Sequence, residues 1–123
     1  MNKKWHVLYY SAKDGSMPVM EYINSLSISE RAKTMALIEL LEDNGPNLPR
    51  PYADLLEDGI HELRIKLTGT QVRVLYFFCY QNIIVLTNVF DKHSAKIPIS
   101  KINKAKESRV DFLDRFSEKD LRR

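Results

Sequence analysis

The spacing of apolar residues along this chain switches between a period of two and a period near 3.6, and the switches predict its elements. The stretch from Gly59 to Pro98 reads GIHELRIKLTGTQVRVLYFFCYQNIIVLTNVFDKHSAKIP. Its first run, Ile60 to Leu67, sets His61, Leu63, Ile65 and Leu67 against Glu62, Arg64 and Lys66, the alternation of a strand with one wet face. Gln71–Tyr80 and Ile83–Phe90 are apolar almost throughout, as strands at the centre of a sheet are. Thr68-Gly69-Thr70 and Gln81-Asn82 read as tight turns between them. The stretch predicts a three-stranded antiparallel meander.

Upstream, Trp5 to Tyr10 reads as another strand, broken by Lys13-Asp14-Gly15-Ser16. Pro18 suits a first helical turn with Ser16 as cap, and Val19, Tyr22, Ile23 and Leu26 carry that helix to about Leu26. Ser27-Ile28-Ser29-Glu30 fits a capping box. The helix it opens has Ala32, Met35, Ile38 and Leu41 on one stripe, widened by Leu37 and Leu40, and ends at Asn44-Gly45-Pro46. From Pro46 to Asp58 three prolines interrupt the pattern, which predicts a loop with at most a short turn at Ala53–Leu56. After Pro98 a last helix is predicted from Ile99, Ile102, Ala105, Arg109, Phe112, Leu113 and Phe116, with a charged tail, Ser117–Arg123, that should fray. The expectation is an α+β fold: a small antiparallel sheet (N-terminal strand plus meander), an N-terminal helical hairpin and a C-terminal helix, all in one domain over residues 1–123.

Composition narrows the function classes. An apolar content of 44% with mixed charge predicts a soluble globular chain, and no apolar run nears the roughly 18 residues of a membrane span. The first residues are too short and too charged for a secretory signal, so a cytoplasmic location is expected. The lone Cys79 excludes an internal disulfide, and His6, His61 and His93 lack zinc-ligand spacing, so no metal or other cofactor is expected. The net charge of +3 hides an asymmetry: residues 1–59 carry 6 Lys/Arg against 9 Asp/Glu, whereas residues 60–123 carry 13 against 7. The basic half is either a surface that meets a polyanion or an ordinary solvated face.

No nucleophile, Gly-rich phosphate cradle or carboxylate pair stands out. What remains is a set of cations around the meander: Arg64, Lys66, Arg73, Lys92, His93 and Lys96. Arg73 interrupts an apolar run, so it needs either an acidic partner such as Glu62 or an open cleft. Lys92, His93 and Lys96 follow a buried strand, where they form a solvated loop or a binding edge.

The ordered set Gly59-x-x-Glu62-Leu63-Arg64, Val72-Arg73-Val74-Leu75-Tyr76, Val85-Leu86, Phe90-x-Lys92, Lys96-x-Pro98 and Ala105 resembles the RelE/ParE toxin superfamily. It is most similar to the phage-derived, HigB-like branch, which reads roughly G-L-Y-E-L-R, Y-R-(I/V)-x-Y, F-x-K-K-(T/S)-x-K-(T/S)-P and E-I-x-x-A. The resemblance implies the toxin of a type II toxin–antitoxin module, a metal-independent endoribonuclease that cuts mRNA on the ribosome. In such a reaction the RNA's own 2′-OH attacks the neighbouring phosphorus, so the protein must align the backbone, stabilise developing charge and move protons. On that likeness Arg73, Lys92 and His93 are the expected catalytic residues, and Arg64, Lys66 and Lys96 the expected RNA-binding ones. The partners implied are the ribosome, mRNA and a HigA-like antitoxin with a helix-turn-helix, through which alone DNA would be bound. The chain departs from the pattern at His93 (for a second Lys), Val72 (for Tyr) and His61 (for Tyr). The competing readings are a ParE-like inhibitor of DNA gyrase that catalyses nothing, and a phage-derived binding domain without toxicity.

Overall fold

A computed structural model describes residues 4–121. The elements run β1 (His6–Tyr9), α1 (Pro18–Ser25), α2 (Ile28–Asn44), β2 (Ala53–Glu57), β3 (Ile60–Leu67), β4 (Thr70–Cys79), β5 (Ile83–Asp91) and α3 (Ile99–Arg115). One five-stranded sheet has the order β1-β5-β4-β3-β2, with the apolar runs β4 and β5 inside it. This is the α+β fold expected, with β3-β4-β5 as the antiparallel meander. β1 lies parallel to β5, which makes the sheet mixed.

Residues 53–57, expected as a loop, form an edge strand paired antiparallel to β3. Its turn is Asp58-Gly59, with φ of 49° and 75°. Positive φ at both central residues is the geometry whose twist suits a two-residue hairpin, and Asp-Gly is one of its strongest signals. The prolines at 46, 49 and 51 all precede Ala53, so they shape the approach and leave the N–H groups of β2 intact.

The two helical layers bury different sides of the sheet. Val19, Ile23, Ile38 and Leu41 of the hairpin pack on Leu63, Ile65, Val72, Val74, Tyr76, Ile84 and Leu86. On the other face Ala105 and Phe112 of α3 pack on Ile60, Leu75, Phe77, Val85 and Phe90. Helix starts follow local chemistry. The Ser27 hydroxyl accepts from the Glu30 N–H at 3.2 Å and reaches the Glu30 carboxylate at 3.3 Å, so the predicted box forms at the hydroxyl. At α1 the predicted Ser16 cap does not form; Met17 is the N-cap, and its N–H donates to the Glu21 carboxylate at 2.8 Å. The α2 stripe is rotated from the expected one: Thr34, Ile38 and Leu41 are buried, while Ala32 and Met35 face outward. Thr34 tolerates burial because its hydroxyl donates to the Glu30 carbonyl at 2.9 Å. In the tail, Asp120 accepts from the N–H and hydroxyl of Ser117, closing a short 3₁₀ turn where fraying was expected; residues 122 and 123 of that tail lie outside the described residues. Among the described residues no helix is long and apolar enough to cross a membrane.

Gly45 ends α2 with φ 54° and ψ −131°, a region essentially restricted to glycine. A Cβ there would stand 2.3 Å from the Trp5 indole nitrogen. Gly45→Ala should therefore destabilise the fold by roughly 2–4 kcal/mol, combining positive-φ strain with overpacking. Urea titration checks this: a midpoint within error of the parent would contradict the close packing of Trp5 on Gly45.

One irregularity positions the site. The β4–β5 register shifts by one between Leu75 and Tyr76, pairing Leu75 with Asn88 and Tyr76 with Leu86, so Thr87 is the extra residue. Its hydroxyl donates to the Leu75 carbonyl at 3.1 Å, and Asn88 donates to the Lys101 carbonyl at 3.2 Å, tying the bulge to α3. A bulge reverses which side chains face which layer. Beyond it Phe90 packs in the α3 layer, and two residues on Lys92 joins the same face.

Candidate functional site

On the α3 face, β3 contributes Glu62, Arg64 and Lys66, the positions alternating with core residues Leu63, Ile65 and Leu67. β4 contributes Arg73, which lies directly opposite Arg64 in the sheet register. Like charges so paired repel, and the strands accept them because acids intervene. Glu62, 4% exposed, accepts from Arg64 Nε at 3.1 Å, and the same oxygen lies 3.0 Å from Arg64 Nη2 as an ion pair. Its other oxygen lies 3.1 Å from Arg73 Nε, close enough for an ion pair. That contact is poorly aligned, so neither atom forms a hydrogen bond and the attraction is Coulombic. Arg73, 6% exposed, also donates from Nη1 to the Val72 carbonyl at 3.1 Å. Burial pushes the Arg73 guanidinium down from its ordinary range, opposed by Glu62 and reinforced by Arg64.

A second acid extends the network. Asp54 of β2 stands opposite Glu62, pairs with Arg50 Nη2 at 2.9 Å and accepts from Arg64 Nη2 at 3.4 Å. The hydrogen bond from Arg50 is the main cause that lowers the Asp54 carboxyl below the usual range.

Above this floor lies a cleft of about 290 Å³ lined by Leu55, Leu56, Glu62, Arg64, Lys92, Ala95, Lys96, Ile97 and Ile102. It gathers Arg64, Lys92 and Lys96 of the expected residues. Among the described residues Lys92 and Lys96 have no ion-pair partner, so their charges are available to a ligand. Arg64 is partly committed, its side chain 32% exposed. The other three are placed differently. Arg73 is held by Glu62 beneath the network, the acidic partner the sequence allowed. Lys66 is exposed further along β3, and His93 is exposed on the loop between Lys92 and Lys96 without lining the cleft. Two of the three positions departing from the family pattern have packing roles: Val72 is fully buried, and His61 stacks on Tyr76 with centroids 5.3 Å apart.

A larger cleft of about 650 Å³ lies beside β1, lined in part by His6, Glu42, Tyr80, Glu118 and Asp120. Its acids make it unsuited to a polyanion. Among the described residues no group of three or more His, Cys, Asp or Glu side chains is placed to hold a metal ion.

The model of the phage-derived Gp49-like proteins (DUF891) matches residues 21–110, close to three quarters of the chain. The chain belongs to the Gp49-like family. The matched region contains every residue of the network and cleft, and the family suggests a phage-derived toxin of a toxin–antitoxin module. No curated protein matches the Gp49-like chain.

Sequence reasoning missed Asp54 and the double role of Glu62. The Asp58-Gly59 turn was the available signal for β2, but the hairpin alone would set Leu55 across from Glu62; the register shift between Leu55 and Glu57 brings Asp54 there.

Proposed function

We propose that this chain is the toxin of a type II toxin–antitoxin module and an endoribonuclease of the RelE/HigB kind, cutting mRNA on the ribosome. The observation that carries the reading is the convergence of Arg64, Lys92 and Lys96 on one cleft, the two lysines without an ion pair among the described residues. A gyrase inhibitor that only binds protein has no need of convergent phosphate ligands.

In this reading the protein supplies no nucleophile. The 2′-OH of the RNA attacks the adjacent phosphorus, the P–O5′ bond breaks, and a 2′,3′-cyclic phosphate and a 5′-hydroxyl result. Lys92, Lys96 and Arg64 grip the backbone at the cleft, while Lys66, further along β3, extends the basic surface. Arg73 stabilises negative charge developing on the phosphoryl oxygens, which requires its guanidinium to turn from Glu62 toward the cleft. His93, on the exposed loop beside the cleft, exchanges protons. The chemistry asks for no metal or cofactor. The neutralising partner is a helix-turn-helix antitoxin, drawn by the balance of 13 Lys/Arg against 7 Asp/Glu in residues 60–123.

Inducing the chain in cells and following mRNA integrity beside plasmid supercoiling tests the reading. Fragmented mRNA with unchanged supercoiling is expected; altered supercoiling with intact mRNA would replace the ribonuclease by the gyrase inhibitor. His93 has its own test. Cleavage by folded His93→Gln should be slower by about 100-fold or more, the usual share of a positioned general acid or base. A rate within error of the parent removes His93 from proton transfer.

A further inference from the structure

We propose that Glu62 is an internal stand-in for phosphate, a latch that keeps the arginines of the cleft satisfied until a larger surface presents the RNA. The inference rests on the RNA reading of the cleft and adds how that cleft is regulated. Arg64 and Arg73 are forced opposite one another by strand register, an arrangement that in a buried setting demands an anion between them. Glu62 supplies it, one oxygen on each guanidinium, at the floor of the cleft a ligand would enter. Its fit is incomplete. The Arg73 contact lacks hydrogen-bond alignment, so a group with tetrahedrally disposed oxygens can serve Arg73 and Arg64 better than one planar carboxylate does.

Two consequences follow from charge alone. In the resting protein the cleft offers free RNA only Lys92 and Lys96 as cations without an ion pair among the described residues, so the RNA is held weakly there. Engagement of the arginines requires the phosphate to displace a buried carboxylate, which single-stranded RNA in solution does poorly. RNA fixed on an extensive surface, as on a ribosome, arrives with its ordering cost already met and can do so. Glu62 thereby sets the preference for presented over free RNA.

The test uses a fluorescein-labelled 12-nucleotide RNA with 2′-O-methyl groups throughout, which cannot undergo 2′-OH attack. Its binding to the wild-type chain and to Glu62→Gln is followed by anisotropy over a range of salt. Glu62→Gln is expected to bind about tenfold more tightly or better at low salt, with a salt slope steeper by about 0.7 for one added phosphate contact. Equal or weaker binding by a variant that melts cooperatively overturns the latch, as does absence of binding in both proteins. Should Glu62→Gln fail to fold, the wild-type protein decides the matter through its Arg64 Nε–H resonance. That resonance should keep its position on saturation with the same RNA while the Lys92 and Lys96 resonances move, because Glu62 retains Arg64; a shift of Arg64 comparable to theirs refutes the proposal. Cleavage of ordinary RNA on ribosomes is scored separately. A wild-type protein that binds but never cuts defeats the ribonuclease reading while leaving the latch to be judged on binding.

Discussion

Arg73→Ala is expected to abolish growth arrest and to lower stability at the same time. The side chains of Arg73 and Glu62 are 8% and 5% exposed, so removing one leaves its partner without a neighbour it was folded around. Breaking a buried pair costs about 3–5 kcal/mol, and because Arg64 still serves Glu62 the lower end applies here. Loss of a preorganised cation from the transition state should cost a further two orders of magnitude or so in rate. The two effects separate when cleavage is measured well below the variant's melting temperature, with circular dichroism reporting the folded fraction. A folded Arg73→Ala protein that cuts at the parental rate would show Arg73 to be a structural ion-pair partner alone.

The double variant Lys92→Gln/Lys96→Gln should behave in the opposite way. Lys92 is partly exposed, Lys96 is exposed, and neither is ion-paired, so stability should stay within about 0.5 kcal/mol of the parent. RNA binding, by contrast, should lose two phosphate contacts. On a single strand that flattens the dependence of log K on log salt by about 1.4, and growth arrest should be lost. Anisotropy at several salt concentrations measures the slope, and an unchanged slope would place the RNA elsewhere on the protein.

Much of the fold could be read from the chain because its strands announce themselves twice, by period and by turn. Ile60–Leu67 alternates, β4 and β5 are apolar almost throughout, and the structure pairs all three strands on both sides, with β1 and β2 as the edges. β2 was hidden because an edge strand needs no apolar run: Ala53 alone is fully buried, and Leu55 lies exposed. The rotation of α2 was hidden for a related reason. Thr34 replaces an apolar side chain on the buried face by satisfying its own hydroxyl, so the apolar pattern pointed to Met35 instead.

For the site, Arg73 stood out as a charge in an apolar strand, and Lys92 and Lys96 as cations beyond one. Their meeting on one face depends on the Thr87 bulge, which reverses the phase of β5 between Val85 and Phe90. The residue pattern holds a trace of that reversal, since Leu86-Thr87-Asn88-Val89 sets two polar residues in succession between apolar ones, but a run read as apolar almost throughout gives no phase from which to see the break. The Glu62–Arg64–Asp54 network likewise needs β2, which the proline-rich approach concealed.

The most direct measurement of the central claim is end mapping of mRNA fragments made on purified translating ribosomes by the purified chain, after divalent cations bound to it have been removed. The account predicts cuts within the ribosome-bound codon leaving 2′,3′-cyclic phosphate and 5′-hydroxyl ends, undiminished by that removal and absent without ribosomes. Intact mRNA, or fragments ending in 3′-hydroxyl groups, would contradict it.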